Sequence, residues 1–111
     1  MVQANVLIST ADSVPDQQVK TTLGLVRGQS VRARNAIRDV QAGIRTIFGG
    51  RVGVYGELLE QSRDEAIAQM VSEARRLGGN GVLATRLSTS QVMGGAAEVV
   101  AYGTAVVLDE K

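Results

Sequence analysis

The chain has 111 residues, a net charge of +1, no cysteine and no histidine. This length predicts a single domain over residues 1–111. Without thiols or imidazoles, disulfides, zinc fingers, iron–sulfur centres and histidine-dependent catalytic triads are excluded.

Large apolar side chains are scarce. Aromatic residues make up 3% of the chain, and the 13 glycines add unfolded-state entropy that folding must overcome. A thin core without a disulfide suggests that apolar surface is buried between subunits, so we expect a homo-oligomer. Residues 1–10 lack the features of a signal peptide, and no apolar run has the roughly 20 residues of a membrane helix, so we expect a cytoplasmic protein without membrane contact.

The first third of the chain has the pattern of strands. A short apolar run over residues 5–9 predicts one strand, and the turn-rich residues 10–18 follow it. Residues 19–31 alternate in part between two faces, which predicts a second, long strand. Gly24 and Gly28 indicate bulges or a close approach of another backbone.

Two helices are predicted next. Residues 35–48 carry an apolar stripe at spacings of three and four, and Gly49 and Gly50 end this helix. Residues 51–56 are predicted to be a short connector. The second helix ends at Leu77, before a second pair of glycines, and its apolar stripe comprises Ala66, Ile67, Met70, Val71, Ala74 and Leu77.

The start of the second helix is open to two interpretations. Ser62 and Glu65 fit a capping box, which would start the helix near Arg63. No residue of the preceding segment breaks a helix, and this favours a start near Tyr55.

The last part of the chain again has the pattern of strands. Residues 81–90 alternate, residues 91–95 form a glycine-containing loop, and residues 96–108 form the last strand. One face of that strand is uniformly small: Ala97, Val99, Ala101, Gly103 and Ala105. The resulting order β-β-α-α-β-β predicts an α+β fold with two helices packed on one side of an antiparallel sheet.

The charges are unevenly distributed. The segment from Arg27 to Arg51 has one acid, Asp39, and six arginines: 27, 32, 34, 38, 45 and 51. The segment from Glu57 to Glu73 has one base, Arg63, and five acids: 57, 60, 64, 65 and 73. Because the arginine fork suits carboxylates, we favour ion pairing between these segments, within or between subunits, over a site for an anion.

Three segments resemble the YbjQ-like family of bacterial and archaeal proteins, which is labelled heavy-metal-binding: NAIRDVQAGIRTIFGGRVGVY, LGGNGV and GTAV. The resemblance implies a subunit like that of dodecin, assembled into a ring that is usually a homopentamer, with no established enzyme activity. The signature of this resemblance includes Asn35, Arg38, Asp39, Arg45, Gly49, Gly50, Arg51 and Tyr55, and we expect these residues to contribute to assembly. Arg86 and Ser88 stand where relatives often carry acids, so a cation site built on those acids would be lost here.

Metal binding is the first alternative. Soft metals prefer thiolate and imidazole, so only oxygen ligands are left. Glu57, Glu60 and Asp64 share one face of the second helix, where a hard cation could bind, although a solvated face paired with arginines is the simpler interpretation. A possible metal ion is therefore the one cofactor considered.

Other functions are less well supported. Nucleic-acid binding would suit the arginines, but the near absence of aromatic side chains between them makes it unlikely. The sequence GGRVG lacks the strand and the Gly-Lys pair of a phosphate-binding loop. Tyr55 and Tyr102 are interpreted as packing or interface residues. We expect no enzyme, and a small anionic ligand at subunit interfaces is the alternative function.

Overall fold

The computed structural model describes residues 1–30, 51–92 and 96–111, and their side chains over residues 1–30, 59–90 and 98–111. These parts contain five strands and one long helix. In chain order the elements are β1 (Val2–Gln3), β2 (Val6–Ile8), β3 (Gln17–Ser30), α1 (Arg51–Arg76), β4 (Gly81–Val92) and β5 (Ala96–Glu110).

The five strands form one mixed sheet in the order β1-β2-β4-β5-β3. β5 lies between β4 and β3 and is antiparallel to both. β2 is parallel to β4, with hydrogen bonds from Leu7 N to Asn80 O at 2.9 Å and from Ser9 N to Val82 O at 2.9 Å. The predicted antiparallel sheet is therefore corrected to a mixed one. The reason is that β3 and α1 lie between β2 and β4 in the chain, and such a long crossover allows parallel pairing.

α1 packs on one face of the sheet and forms the main core with it. Its stripe is confirmed, because Ala66, Met70, Val71 and Ala74 are all buried and Ile67 packs against them. Leu77, the last member of the stripe, follows the helix and is 38% exposed. The sheet contributes Val6, Ile8, Val26, Val82, Val99, Ala101 and Ala105 to this core.

Small residues in the sheet let the helix come close. Within the described side chains, the small face predicted for the last strand is confirmed, since Val99, Ala101, Gly103 and Ala105 are buried. Gly28 of β3 lies directly under α1. A methyl group added there would stand 1.9 Å from the carbonyl oxygen of Ala66 and 2.6 Å from the amide nitrogen of Met70.

The end of α1 is confirmed at its glycine pair. Gly78 has φ +89°, a conformation that glycine adopts without a steric penalty. Gly78 N donates to Arg75 O at 2.9 Å and Gly79 N donates to Ala74 O at 2.9 Å. These two bonds form a Schellman motif, which satisfies carbonyls of the last helical turn.

A smaller apolar cluster lies on the opposite face of the sheet. Leu83, Val106 and Leu108 are buried there and pack with Leu7 and Val14. Within the described part of the chain, this cluster covers one end of that face. Further along β5, Tyr102 on the same face is 40% exposed.

Several predicted boundaries need correction. Residues 51–56, predicted to be a connector, belong to α1, and both predicted starts near Tyr55 and Arg63 are too late. Gly53 and Gly56 each cost about 1 kcal/mol of helix propensity, but they retain the N–H group that the helix needs. Gln91 and Val92, predicted to lie in a loop, continue β4.

The remaining elements differ from the prediction in smaller ways. β1 was not predicted; it forms a two-residue hairpin with β2 through Ala4 and Asn5, whose φ angles of 51° and 65° are typical of a type I′ turn. The predicted helix over residues 35–48 and its glycine stop lie outside the described residues. The described part has one helix where two were predicted for the whole chain.

Candidate functional site

The face of the sheet opposite α1, which we call the open face, carries a row of three large polar side chains. The pairing register places Tyr102 of β5 directly between Arg27 of β3 and Arg86 of β4. Directly paired residues on one face have Cβ atoms about 5 Å apart, so the three side chains are immediate neighbours. Both arginines are exposed and Tyr102 is 40% exposed. We call these residues the Arg-Tyr-Arg row.

A β-bulge places Arg86 in this row. Between Leu83 and Arg86, β4 has one more residue than the facing part of β5, and Ala84 in the bulge has φ 53°. Residues three apart in a regular strand lie on opposite faces, and the extra residue instead places Arg86 on the same face as Leu83. Bulges of this kind are enriched beside functional sites, where they redirect a side chain.

The bulge is held by the segment that follows β2. Ala84 N donates to Ala11 O at 2.9 Å and Thr85 N donates to Ser9 O at 2.9 Å. On the other side it packs against Gly103, where an added methyl group would stand 2.7 Å from a methyl carbon of Val82 and 3.0 Å from the carbonyl oxygen of Leu83. The position of Arg86 is therefore fixed from both sides of β4.

The guanidinium of Arg86 is itself oriented by backbone carbonyls. One terminal nitrogen donates to Thr10 O and to Thr85 O, each at 2.9 Å. These two bonds use part of the five-donor fork and leave its other donors available. Among the described side chains, neither Arg86 nor Arg27 forms an ion pair with a carboxylate.

One ion pair on α1 perturbs its two members. Arg76 Nη2 lies 2.5 Å from Glu73 Oε1, one turn apart on the exposed side of the helix. The hydrogen bond from Arg76 lowers the pKa of Glu73, and the bond to Glu73 raises the pKa of Arg76. This pair supports the helix end and is remote from the row.

Most residues of the predicted family signature lie outside the described part of the chain: Asn35, Arg38, Asp39, Arg45, Gly49 and Gly50. Arg51 and Tyr55 lie in the first turns of α1, where the structure describes the backbone alone. Their predicted role in assembly therefore stays a prediction.

The predicted oxygen ligands lie on α1. Glu60 and Asp64 are one turn apart and exposed to solvent, and Glu57 lies in the part of the helix described by its backbone. Among the described residues, no group of three acidic side chains is positioned to hold a metal ion. Membrane spanning is not indicated either, since no helix within the described ranges has the necessary length and apolar character.

The Arg-Tyr-Arg row is not apparent from the sequence. Tyr102 is predicted there as a packing or interface residue, Arg86 as a departure from the family pattern, and Arg27 as one arginine of a charged segment. The alternation of residues 96–108 does place Tyr102 on the larger-residue face of its strand. The partners on either side depend on strand order and on the bulge at Ala84, neither of which the alternation reveals.

Comparison with known proteins identifies the family. The YbjQ sequence model, described as "Putative heavy-metal-binding", matches residues 6–109. A UPF0145 protein of Thermus thermophilus is 46% identical over 94% of this chain and 91% of its own length. A UPF0145 protein of Archaeoglobus fulgidus is 43% identical over 95% of this chain and 97% of its own length.

A solved structure shows the same fold. It is a protein of unknown function of the DUF74 family from Pediococcus pentosaceus, with a TM-score of 0.59 and 19% identity over 94% of this chain and 98% of that one. At that identity the likeness concerns the fold alone. The sequence matches carry the assignment: the chain belongs to the YbjQ-like family, whose curated relatives are called UPF0145 proteins and have no established activity.

Proposed function

We propose that this protein is a non-catalytic homo-oligomer that assembles through the outer edge of β3. The single observation that carries the proposal is the character of that edge. β3 has 14 residues and lies at the end of the sheet, and no described strand pairs with its outer side. One amide of this strand, Gln29 N, already donates to Oε1 of Gln69 in α1 at 3.0 Å, and the other outward N–H and C=O groups are a template for another strand.

The two edges of the sheet differ in how far they are protected. β1, at the other edge, has only two residues, and a short strand offers little to a partner. The first half of β3 is interrupted by register shifts at Lys20 and at Leu23. From Gly24 to Ser30 the register continues without a shift, so this second half is the better template.

Exposed apolar surface lies on the same edge strand. Leu25, in the regular half of β3, is 73% exposed, and its pairing with Thr104 places its side chain on the open face of the sheet. The Cα radius of gyration is 16.7 Å, whereas a compact domain of about 100 residues has about 13 Å. An extended subunit of this kind gains buried area when copies pack together.

The dodecin-like ring, its five subunits and a cytoplasmic location complete the proposal. The ring and its subunit number rest on the family resemblance, and the location is the expectation from the sequence. A closed ring of five needs a heterologous contact, in which the β3 edge of one copy meets a different surface of the next. Assembly is tested by sedimentation velocity over a range of protein concentrations. The wild type is expected to sediment as an oligomer, with five as the expected number of subunits.

A charge on the exposed edge sharpens that test. Leu25→Lys is expected to shift the protein towards monomer, because lysine on an edge strand opposes pairing with a copy. Leu77→Lys, which places the same charge at a partly exposed position after α1, is the matched control and is expected to keep the oligomer. A Leu25→Lys variant that keeps the wild-type sedimentation coefficient at low concentration would contradict assembly through this edge.

The family's metal label does not fit this chain. Heavy-metal sites in proteins use thiolate or imidazole ligands, and the sequence contains neither. Glu60 and Asp64, the described members of the predicted oxygen-ligand set, are exposed, and oxygen ligands favour hard cations such as Mg²⁺ or Ca²⁺. We therefore propose that the protein binds no transition metal tightly.

Calorimetry with Zn²⁺, Cu²⁺ and Ni²⁺ on the untagged oligomer tests this proposal. Heats no larger than those of dilution are expected for all three ions. Saturable binding in the micromolar range or tighter would contradict it.

A further inference from the structure

The open face of the sheet offers a binding site beside the β3 edge, because Arg27 of the site belongs to that strand. Its centre is the Arg-Tyr-Arg row of Arg27, Tyr102 and Arg86, and we propose that this row binds a nucleoside monophosphate. The base stacks on the Tyr102 ring, and a guanidinium group beside it holds the phosphate. This inference does not rest on the proposed assembly.

The charge of the row favours an anion. Two permanently charged guanidinium groups flank one tyrosine, and no described carboxylate pairs with either. The acid nearest along β5 on the same face is Glu98, four residues from Tyr102, or about 13 Å along the strand. The row therefore presents two positive charges that the described part of the protein does not neutralise.

The geometry suits a phosphate better than a single carboxylate at the surface. Arg27 and Arg86 lie on opposite sides of Tyr102, two strand spacings or about 10 Å apart, so a base on the ring leaves its phosphate to one guanidinium, whose fork can donate to two of the phosphate oxygens. Arg86 is already oriented by its bonds to Thr10 O and Thr85 O, so less side-chain freedom is lost when it binds.

The tyrosine adds a requirement for an aromatic ring. Its exposed fraction of 40% leaves ring surface available, and aromatic side chains between basic residues stack with bases of any sequence. Hydroxyl groups lie beside the row at Thr104 and at Ser88, which is exposed, and these can contact a ribose. A ligand with a base, a sugar and a phosphate uses all of these groups.

The number of aromatic residues limits the ligand to one nucleotide. Phe48, Tyr55 and Tyr102 are the only aromatic side chains in the whole sequence, and Tyr102 is the only one of them in β5 or its two partner strands. A single-stranded nucleic acid would need further stacking positions along the face. The face therefore fits one nucleotide.

The construction of β4 supports a specific role for Arg86. Ala84 has the positive φ angle of 53° that side-chain-bearing residues rarely adopt. Strained positions of this kind persist where the surrounding structure holds them, and they cluster at ligand sites. Here the strained residue belongs to the bulge that places Arg86 in the row.

Calorimetric titration of the oligomer with adenosine monophosphate tests the proposal. Adenosine, which lacks the phosphate, and ribose 5-phosphate, which lacks the base, are the two comparison ligands. Saturable binding of the whole nucleotide is expected, and each comparison ligand should bind at least about tenfold more weakly. Ribose 5-phosphate that binds as well as the nucleotide, or a nucleotide without saturable binding at millimolar concentration, would overturn it. A hexanucleotide that binds far more tightly than the mononucleotide would also overturn it, in favour of a single-strand site.

Four variants locate the site. Tyr102→Ala and Arg27→Gln are each expected to weaken binding about tenfold, because each removes one of the two interactions. Tyr102→Phe keeps the ring and should stay within about twofold of the wild type. Arg75→Gln removes one exposed charge from α1 on the other side of the sheet and should leave binding unchanged.

Sedimentation of each variant separates an effect on nucleotide binding from an effect on assembly. Loss of nucleotide binding by a Tyr102→Ala protein that keeps its oligomer assigns the effect to the row. Equal binding by the wild type and by Tyr102→Ala would overturn the proposal, whatever the oligomeric state.

Discussion

The two faces of β5 belong to one strand and have opposite surroundings. On the face under α1, Ala101, Gly103 and Ala105 are buried, and on the other face Tyr102, between two of them in sequence, is 40% exposed. The difference arises because α1 covers these small residues, while among the described residues the small apolar cluster covers only one end of the other face. Small residues therefore report where another backbone comes close, and large polar residues report where the sheet is free to bind.

The largest effect is expected on the covered face at Gly28. Gly28→Ala places a methyl group 1.9 Å from the carbonyl oxygen of Ala66, so α1 must move away from the sheet. We expect a loss of about 3 kcal/mol in the free energy of unfolding, because backbone atoms cannot avoid the added methyl group by changing rotamer. Urea unfolding at fixed protein concentration measures it.

The neighbouring position provides the control for that substitution. Gln29 is exposed, and Gln29→Ala is expected to change stability by no more than about 0.5 kcal/mol. Similar losses for the two variants would mean that α1 does not approach the sheet as closely as Gly28 indicates.

A smaller effect is expected on the covered face of β5 itself. Gly103→Ala brings a methyl group to 2.7 Å from a methyl carbon of Val82 and 3.0 Å from Leu83 O, against the bulge of β4. We expect a loss of about 2 kcal/mol in thermal or urea unfolding.

Tyr102→Ala is the matched test on the open face, one residue away in the same strand. Because its ring is substantially exposed, we expect a loss below about 1 kcal/mol. A tyrosine truncation that costs as much as the glycine substitution would show that the open face is packed against something in solution.

The smallest effect concerns the exposed Glu73–Arg76 pair, which lies on neither face of the sheet. The hydrogen bond from Arg76 lowers the pKa of Glu73 in the folded protein. A lowered pKa contributes stability above the unfolded pKa of Glu73, and that contribution is lost as the pH falls through the folded pKa.

Glu73→Gln should therefore reduce stability slightly at neutral pH and not at low pH. Comparing urea midpoints of the two proteins at both pH values checks this. A difference that is larger at low pH than at neutral pH would contradict the assigned direction.

Sequence patterns predicted the covered face well. The spacing of Ala66, Met70 and Ala74 identified the helix face, and the small residues of the last strand identified the sheet surface beneath it. Both work because a buried helix and a buried strand impose fixed periods on their apolar residues. The glycines after Leu77 correctly predicted the helix end, because their conformation is local to the chain.

The open face could not be predicted in the same way. The Arg-Tyr-Arg row depends on three strands that are distant in sequence and on a bulge at Ala84, whose residue type gives no signal. The parallel pairing of β2 with β4 was missed because strand order is set by tertiary packing. The start of α1 was misplaced because Gly53 and Gly56 lower helix propensity without preventing the helix.

The central claim is that β3 offers its outer edge to another copy of the chain, and hydrogen exchange tests it most directly. Amide exchange is followed in β3 and in α1 at two protein concentrations on either side of the assembly midpoint. The account predicts that amides of β3 between Gly24 and Ser30 become slower to exchange as concentration rises, while those of α1 between Ala66 and Ala74 change little. Exchange in β3 that is independent of concentration, in a protein shown to assemble over that range, would contradict the account.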